Sequence, residues 1–382
     1  MIECAISFEK NPSGIFYSGS IINGTVQVTV DKPTTVQSVL LVISGEANVR
    51  WSEDEGTGDN RSSVYYYAND NYIKSTTYLY GSENGITVTI NPGSHIYTFT
   101  CALPPELPSS VEGHYGKVRY SAKVIFDRPW KFNKTFTKGI TIVKITDLNH
   151  ENPQIKLPAT LEIQKQFWCF CCISRPLIIE GTISKSGFVS GEYIPVKFNI
   201  FNMSTNTVQR ISVSLKQIIT SKSDHPRKKS KIQTINLTKT SINSIKNSQK
   251  EEFNTNLLVP PVPPTCNEEI CRVVHVNYEV HIKAIINGPH IAPVLKIPLV
   301  IGNVPLDLNV KNYINTAEST DPSLSNARTP EVSAVEFGLP PPTYEEALYI
   351  EQVNMNAEEK HPIADSNYLP RYPVFQFGQS IP

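Results

Sequence analysis

Residues 118–126 are Val118-Arg119-Tyr120-Ser121-Ala122-Lys123-Val124-Ile125-Phe126. Every second side chain from Val118 to Phe126 is apolar, and Arg119, Ser121 and Lys123 lie between them. Successive side chains of a β-strand point to opposite faces of a sheet, so a period of two places the apolar ones on one face. The stretch therefore predicts a β-strand with one face in a hydrophobic core.

The same alternation returns in the second half of the chain, at Val276, Tyr278, Val280 and Ile282. Other segments recur in the same order: Tyr17-Ser18-Gly19-Ser20-Ile21-Ile22 is echoed by Val189-Ser190-Gly191-Glu192-Tyr193-Ile194, and Pro104-Pro105 with Pro108 by Pro260-Pro261 with Pro264. Repeated order at similar spacing indicates an internal duplication, and hence two similar domains in tandem.

Short alternating runs separated by turn residues are typical of a β-sandwich, and the first half has no convincing helical period. The 382 residues suffice for two domains that each bury a core. We predict an all-β chain of two tandem immunoglobulin-like β-sandwich domains, residues 1–148 and 159–303, joined by a polar linker at 149–158. Residues 304–382 are predicted to be a disordered tail, because 315–328 are too polar to offset their ordering entropy.

The tail contains Pro340-Pro341-Pro342-Thr343-Tyr344. Consecutive prolines hold the backbone close to a polyproline II helix, so a partner that binds this shape orders little chain. Pro341, Pro342 and Tyr344 form the pattern Pro-Pro-x-Tyr, which docks in the aromatic groove of WW domains. The alternative is a proline-rich turn with Tyr344 exposed by chance. We predict that these three residues bind a WW domain.

The chain resembles the arrestin superfamily, specifically the α-arrestins or arrestin-domain-containing proteins. The resemblance covers nearly the whole chain and rests on segments such as Phe16-Tyr17-Ser18-Gly19, Asp127-Arg128-Pro129-Trp130, Gly187-Phe188-Val189-Ser190-Gly191-Glu192 and Ile297-Pro298-Leu299-Val300-Ile301-Gly302. It implies the arrestin fold and a cytosolic trafficking adaptor. Such an adaptor binds membrane cargo, receptors or transporters, and recruits WW-domain ubiquitin ligases of the HECT class for cargo ubiquitination, endocytosis and sorting. The ligase contact is carried over to Pro341, Pro342 and Tyr344.

A second, incomplete motif follows near the carboxyl end, where Leu369 and Pro370 precede Tyr372. Leu369 stands where the first proline of the motif belongs. Members of the family often carry two motifs, so we interpret this segment either as a weaker second WW site or as a plain disordered end.

The basic run comprises Arg227, Lys228, Lys229 and Lys231 and lies between two strand patterns. One interpretation is a solvated hairpin loop. The other is contact with acidic lipid headgroups at a membrane surface, where each basic residue adds ~1 kcal/mol.

The cysteines Cys169, Cys171 and Cys172 cluster beside aromatic residues. Small apolar packing residues are the first interpretation, and reversible acylation is the second. A zinc site needs four ligands in suitable spacing, which this cluster lacks, so no metal is expected. His275 and His281 fall on the polar face of a strand and are expected to be solvated.

Several classes of function are not expected. The formal net charge of zero argues against a nucleic-acid binder. No complete catalytic motif occurs, so neither an enzyme nor a cofactor is expected. The amino terminus lacks a long apolar core and no apolar run approaches ~20 residues, so we expect a cytoplasmic protein recruited to the plasma membrane and endosomes.

Two alternatives to the adaptor stay open at this point. One is an endosomal coat component or lipid-binding scaffold with a retromer-like arrestin fold, which depends on the basic run rather than on the tail. The other is a thioredoxin-binding redox sensor, which depends on a cysteine that the sequence does not identify.

Overall fold

The computed structural model describes residues 1–56, 61–84, 86–169, 172–242, 249–288, 290–307 and 369–375; the side chains of 168–173 and 249 lie outside the description. Throughout this part of the chain the regular structure is β-strand, apart from one 3-10 helix, Pro153–Lys156, in the linker. The predicted all-β class is confirmed.

The first sandwich is built from two sheets of antiparallel and parallel strands. One sheet has the strand order β1-β3-β8, and the other has the order β2-β11-β10-β5-β6 with β9 paired to β10. The strands are β1 (Ile2–Phe8), β2 (Ile15–Tyr17), β3 (Ile21–Val30), β4 (Thr34–Val36), β5 (Ser38–Glu55), β6 (Ser62–Gly81), β7 (Val88–Ile90), β8 (Gly93–Ala102), β9 (Val111–Glu112), β10 (Gly116–Asp127) and β11 (Lys134–Val143).

The second sandwich repeats this plan with the sheet orders β12-β15-β17-β20 and β16-β22-β21-β18-β19. Its strands are β12 (Ala159–Lys165), β13 (Trp168–Cys169), β14 (Cys172–Ile173), β15 (Leu177–Ile183), β16 (Gly187–Val189), β17 (Tyr193–Asn202), β18 (Val208–Ser223), β19 (Lys229–Ile242), β20 (Gln249–Leu258), β21 (Val274–Ile286) and β22 (Val294–Gly302). The parallel pair β16 and β22 corresponds to β2 and β11 of the first sandwich.

The alternating stretch is strand β10, which lies between β5 and β11. The alternating side chains Val118, Tyr120, Ala122, Val124 and Phe126 are at most 2% exposed, as their period predicts. The hydroxyl of Tyr120 donates a 2.7 Å hydrogen bond to the carbonyl of Pro108, and that of Tyr278 donates one of 2.5 Å to Pro263. Equivalent tyrosines therefore bind equivalent proline-rich connections in the two domains, which confirms the duplication.

The repeated glycine turns are equivalent in three dimensions as well. Gly19 and Gly191 both adopt positive φ, +80° and +92°, a conformation that glycine reaches without a steric penalty. Each turn follows the short parallel strand of its sandwich, β2 or β16. The turns therefore lie at matching corners of the two domains.

Residues that follow the predicted boundary at 303 pack against the linker and the second sandwich. Val304 bridges to Asp147, and Leu306 is buried in a small cluster with Leu148, Ile155 and Val189. This cluster packs the linker against the end of the second sandwich, because four apolar side chains there leave water together.

The expectation that His275 and His281 are solvated is wrong. They are 9% and 8% exposed, whereas Asn277 and Lys283 on the same face of β21 are exposed. Burial lowers the pKa of both imidazoles, and Glu279 lies 2.6 Å from Nε2 of His281. Alternation alone did not reveal that this face is covered at the two histidines.

Candidate functional site

The predicted WW motif, Pro341, Pro342 and Tyr344, lies outside the described residues. So do Cys171 and the side chains of Cys169 and Cys172, although the backbones of the latter two pair between β13 and β14. Ligase binding and acylation at these positions stay predictions. Among the side chains that are described, no group of three His, Cys, Asp or Glu is arranged to hold a metal ion.

The basic run lies at the β18–β19 hairpin, which faces the β5–β6 hairpin of the first sandwich. Arg227 Nη2 lies 2.5 Å from Oε1 of Glu55, and Lys231 Nζ lies 2.8 Å from Oε1 of Glu53. Lys229 also pairs with Glu53, whereas Lys228 is exposed. Three of the four cations predicted for lipid contact thus face carboxylates of the first sandwich.

An aromatic pair lies beneath these ions. Tyr66 is fully buried and stacks on Trp51, with ring centroids 5.3 Å apart and an interplanar angle of 9°. Arg227 and Lys229 lie 5.6 and 5.0 Å from the centre of the Tyr66 ring, within the range of cation–π attraction. The aromatic platform therefore adds to the attraction between the two hairpins.

Glu53 is the electrostatic centre of this contact. Hydrogen bonds from Lys229 and Lys231 lower the pKa of its carboxyl from the ordinary 4.5 to about 2, and the indole of Trp51 donates a further bond of 3.0 Å. The ionised form of Glu53 is thus the form that joins the sandwiches.

A second group of contacts extends this interface between the two sandwiches, which is here called the seam. Arg272 of the second sandwich lies 2.6 Å from Asp70 of the first and 2.7 Å from Asp224 of its own. The ring of Tyr67 stacks on His225 at 5.2 Å, and the two residues also exchange backbone hydrogen bonds. Sequence reasoning missed these pairs, because partners about 150–200 positions apart leave no local pattern.

Hydrogen bonds also join the two sandwiches near the linker. Asn303 accepts a 2.7 Å bond from the Thr146 amide through its side chain, and its own side-chain amide donates to the carbonyl of Lys144. The side-chain amide of Asn149 donates to the carbonyl of Pro305 at 2.9 Å. The end of the second sandwich is therefore fastened to the strand end and linker that follow the first.

The segment Arg371–Phe375, here called the strap, crosses this seam. Tyr372 is buried, and its hydroxyl donates a 2.8 Å hydrogen bond to the carbonyl of Ser110 in the first sandwich. The amide of Phe375 donates a 3.0 Å bond to the carbonyl of Ser190 in the second. Within the incomplete motif, Tyr372 is thus packed while Leu369 and Arg371 are exposed, and a WW domain has no access to Tyr372 in this arrangement. Its capture by a WW domain stays a prediction.

No helix in the described part of the chain is long and apolar enough to cross a membrane. The cysteines Cys101, Cys266 and Cys271 are buried, and Cys4 is partly buried. A mixed disulfide with Cys101, Cys266 or Cys271 would therefore require local opening of the sandwich.

Comparison with known proteins agrees with the fold. Residues 4–149 match the model of the arrestin (or S-antigen) N-terminal domain, and residues 174–306 match that of the arrestin (or S-antigen) C-terminal domain. Together the two models cover most of the two sandwiches and leave the tail unmatched.

Three relatives illustrate the similarity. Arrestin domain-containing protein 17 of Caenorhabditis elegans is 28% identical over 78% of this chain and 69% of its own length. Arrestin domain-containing protein 4 of Homo sapiens is 24% identical over 96% of this chain and 83% of its own. The human thioredoxin-interacting protein is 24% identical over 90% and 84%. With both arrestin domains matched in order and arrestin domain-containing proteins as relatives, the chain belongs to the arrestin family, in agreement with membership of its α-arrestin branch.

Proposed function

We propose that the chain is a trafficking adaptor that binds membrane cargo through its two sandwiches and recruits a WW-domain ubiquitin ligase of the HECT class through Pro341, Pro342 and Tyr344. The observation that carries the proposal is the combination of two arrestin domains with a Pro-Pro-x-Tyr motif about 35 residues after the second. The cargo would be a receptor or transporter at the plasma membrane or endosomes.

The division of labour follows from the chemistry of the two parts. A polyproline segment outside the domains offers rigid rings and a tyrosine to an aromatic groove at small entropic cost. The sandwiches offer a large, preformed surface, and ion pairs at the seam hold the two sandwiches in a fixed relative orientation. Recruitment and cargo binding then occur on separate parts of one chain, so both partners bind at once.

The test is calorimetric titration of the full-length protein with a tandem WW fragment of a HECT ligase. We expect micromolar binding by the wild type. It should fall at least about tenfold in Tyr344→Ala, because the groove loses the aromatic ring. Tyr349→Ala, five residues later in the same segment, is the matched control and should bind normally. Equal binding by all three proteins would assign the contact elsewhere, and no binding by any would overturn ligase recruitment.

The lipid-binding scaffold is the weaker candidate. Arg227, Lys229 and Lys231 already face Glu53 and Glu55, so a membrane would have to compete with these ion pairs. Sedimentation with vesicles containing phosphatidylserine distinguishes the scaffold from the adaptor. Vesicle binding that falls when Arg227, Lys228, Lys229 and Lys231 are neutralised, but not in Glu53→Gln, would favour the scaffold.

The redox-sensor candidate has less support among the described cysteines, because each of them is at least partly buried. The human thioredoxin-interacting protein, whose name refers to an interaction with thioredoxin, is 24% identical to this chain. A non-reducing gel after mixing with thioredoxin would detect a mixed disulfide.

A further inference from the structure

We propose that the seam between the two sandwiches is a peptide-binding site for a Tyr-Pro-x-Phe segment, and that the strap, Arg371–Phe375, is its resident ligand. Its consequence for recruitment rests on the proposed function: Tyr372 serves either the seam or a WW domain, so capture of Leu369-Pro370-Arg371-Tyr372 releases the two sandwiches from the strap.

The first half of the site is a pocket for a tyrosine. Tyr372 is 9% exposed, and its hydroxyl reaches the carbonyl of Ser110, which is itself 1% exposed. A buried tyrosine needs a partner for its hydroxyl, and this pocket supplies one at 2.8 Å. The Arg371 amide lies 3.3 Å from the Thr141 hydroxyl of the same sandwich, next to Tyr372. The pocket therefore buries the ring of Tyr372 and provides a hydrogen-bond acceptor for its hydroxyl.

The second half of the site lies on the glycine turn of the other sandwich. The Phe375 amide bonds to the Ser190 carbonyl, and a Cβ built on Gly191 would lie 2.1 Å from the carbonyl oxygen of Phe375 and 2.8 Å from Val374. At the duplicated turn, a Cβ on Gly19 would meet only Pro105, at 3.6 Å. Because Gly191 has no side chain, the strap can pack directly on its backbone. Within the described ranges, no segment packs this closely on Gly19.

An apolar anchor completes the site. Phe375 packs against the cluster of Leu148, Ile155, Val189 and Leu306, which joins the linker to the second sandwich. The strap thus contacts the first sandwich at Ser110 and the second at Ser190 and this cluster. Because the ligand is tethered to its own receptor, even a weak site is occupied at high effective concentration.

Hydrogen exchange of the full-length protein, followed by mass spectrometry, tests the site. We expect amides of 371–375 to be protected in the wild type and to exchange at least about tenfold faster in Tyr372→Ala, which corresponds to the loss of a buried ring and one hydrogen bond. Tyr368→Ala, in the same tail, is the control and should match the wild type. Exchange in the wild type at the rate of an unstructured peptide would overturn the proposal.

The two glycines provide a matched pair that tests the site from the receptor side. Gly19→Ala and Gly191→Ala introduce the same backbone strain at equivalent turns, but only the second places a methyl group against the strap. We expect faster exchange at 371–375 in Gly191→Ala alone. Equal exchange at 371–375 in both variants would argue against contact between the strap and Gly191. If Gly191→Ala does not fold, Tyr372→Ala still decides, because its substitution lies in the tail.

Peptide binding in trans provides the third arm. A synthetic peptide of residues 368–377 should bind the full-length Tyr372→Ala protein, whose seam is vacant, and a peptide with alanine at 372 should bind at least about tenfold more weakly. Absence of a difference would overturn the seam as a tyrosine site.

The link to recruitment is tested separately. A saturating WW fragment added to the Tyr344→Ala protein should accelerate exchange at 371–375. If the fragment binds neither the wild type nor Tyr344→Ala, ligase recruitment fails while the exchange and peptide results still decide the seam site. Binding to the wild type but not to Tyr344→Ala would overturn capture of the second motif. Binding to the second motif without faster exchange at 371–375 would overturn the mutual exclusion.

Discussion

Lys231 Nζ lies 2.8 Å from Oε1 of Glu53, although the two residues are 178 positions apart and belong to different sandwiches. Lys229 binds the other oxygen of the same carboxylate. One acidic residue of the first domain is therefore held by two cations of the second, and its ionisation is linked to the contact between the domains.

The first prediction concerns acid. The pKa of Glu53 falls from 4.5 to about 2 when its lysine partners bind, so its ionised form stabilises the folded arrangement above pH 4.5. That contribution is lost progressively as the pH falls from 4.5 toward 2. We expect Glu53→Gln to have a lower thermal unfolding midpoint than the wild type at pH 7, and the difference to shrink to nothing near pH 2.

The control for this titration is Asp54→Asn, which neutralises the adjacent carboxylate. Asp54 accepts a hydrogen bond from Ser63 of its own domain. We expect no comparable pH-dependent difference for this variant. A constant difference between Glu53→Gln and wild type from pH 7 to pH 2 would contradict the linkage.

The second prediction concerns Arg272. Its guanidinium binds Asp70 with one terminal nitrogen and both oxygens of Asp224 with the other, a planar arrangement that a lysine ammonium does not reproduce. We expect Arg272→Lys to lower the free energy of unfolding by about 0.5–1 kcal/mol, since the pairs are partly exposed. A double-mutant cycle with Asp70→Asn should give a positive coupling energy, and additive effects would argue against an interdomain pair.

The third prediction compares the duplicated tyrosines. Tyr120 makes one hydroxyl hydrogen bond, to Pro108, whereas Tyr278 donates to Pro263 and accepts a 3.0 Å bond from Gln217. A buried group left without its partner costs about 1–3 kcal/mol. Tyr278→Phe should therefore be more destabilising than Tyr120→Phe in urea unfolding. The reverse order would contradict the prediction and show that the bond from Gln217 does not add to the stability of the second domain.

The fourth prediction concerns modification of the tail. A phosphate on Tyr344 adds charge and bulk that an apolar aromatic groove does not accommodate. A peptide of residues 336–352 with phosphate at Tyr344 should lose WW binding, and the same peptide phosphorylated at Tyr349 should retain it. Equal affinity of the two phosphopeptides by calorimetry would refute this prediction.

Much of the fold follows from local pattern. The alternation around Val118–Phe126 and its repeat at Val276–Ile282 predicted the strands β10 and β21, because a two-residue period has one meaning on a pleated strand. The repeated glycine turns predicted matching corners in the two domains. The interpretation of the basic run as a hairpin loop agrees with its place between β18 and β19.

Local pattern failed where a residue's surroundings come from distant strands. His275 and His281 alternate with apolar residues and look solvated, yet the folded domain buries them while Asn277 and Lys283 on the same strand face are exposed. The basic run looks suited to lipid headgroups, yet three of its cations face Glu53 and Glu55.

By itself, therefore, the sequence determined the all-β class, the duplication and the presence of a Pro-Pro-x-Tyr motif, since each is written in neighbouring residues or in repeated order. Only the tertiary structure decided which charges meet across the seam, and that Tyr372 is buried against Ser110. It also decided that the strap packs on Gly191 and not on the equivalent Gly19. The physical reason is that strand periodicity is a local property of the backbone, whereas ion pairing and burial depend on which distant surfaces two folded sandwiches bring within a few ångströms of each other.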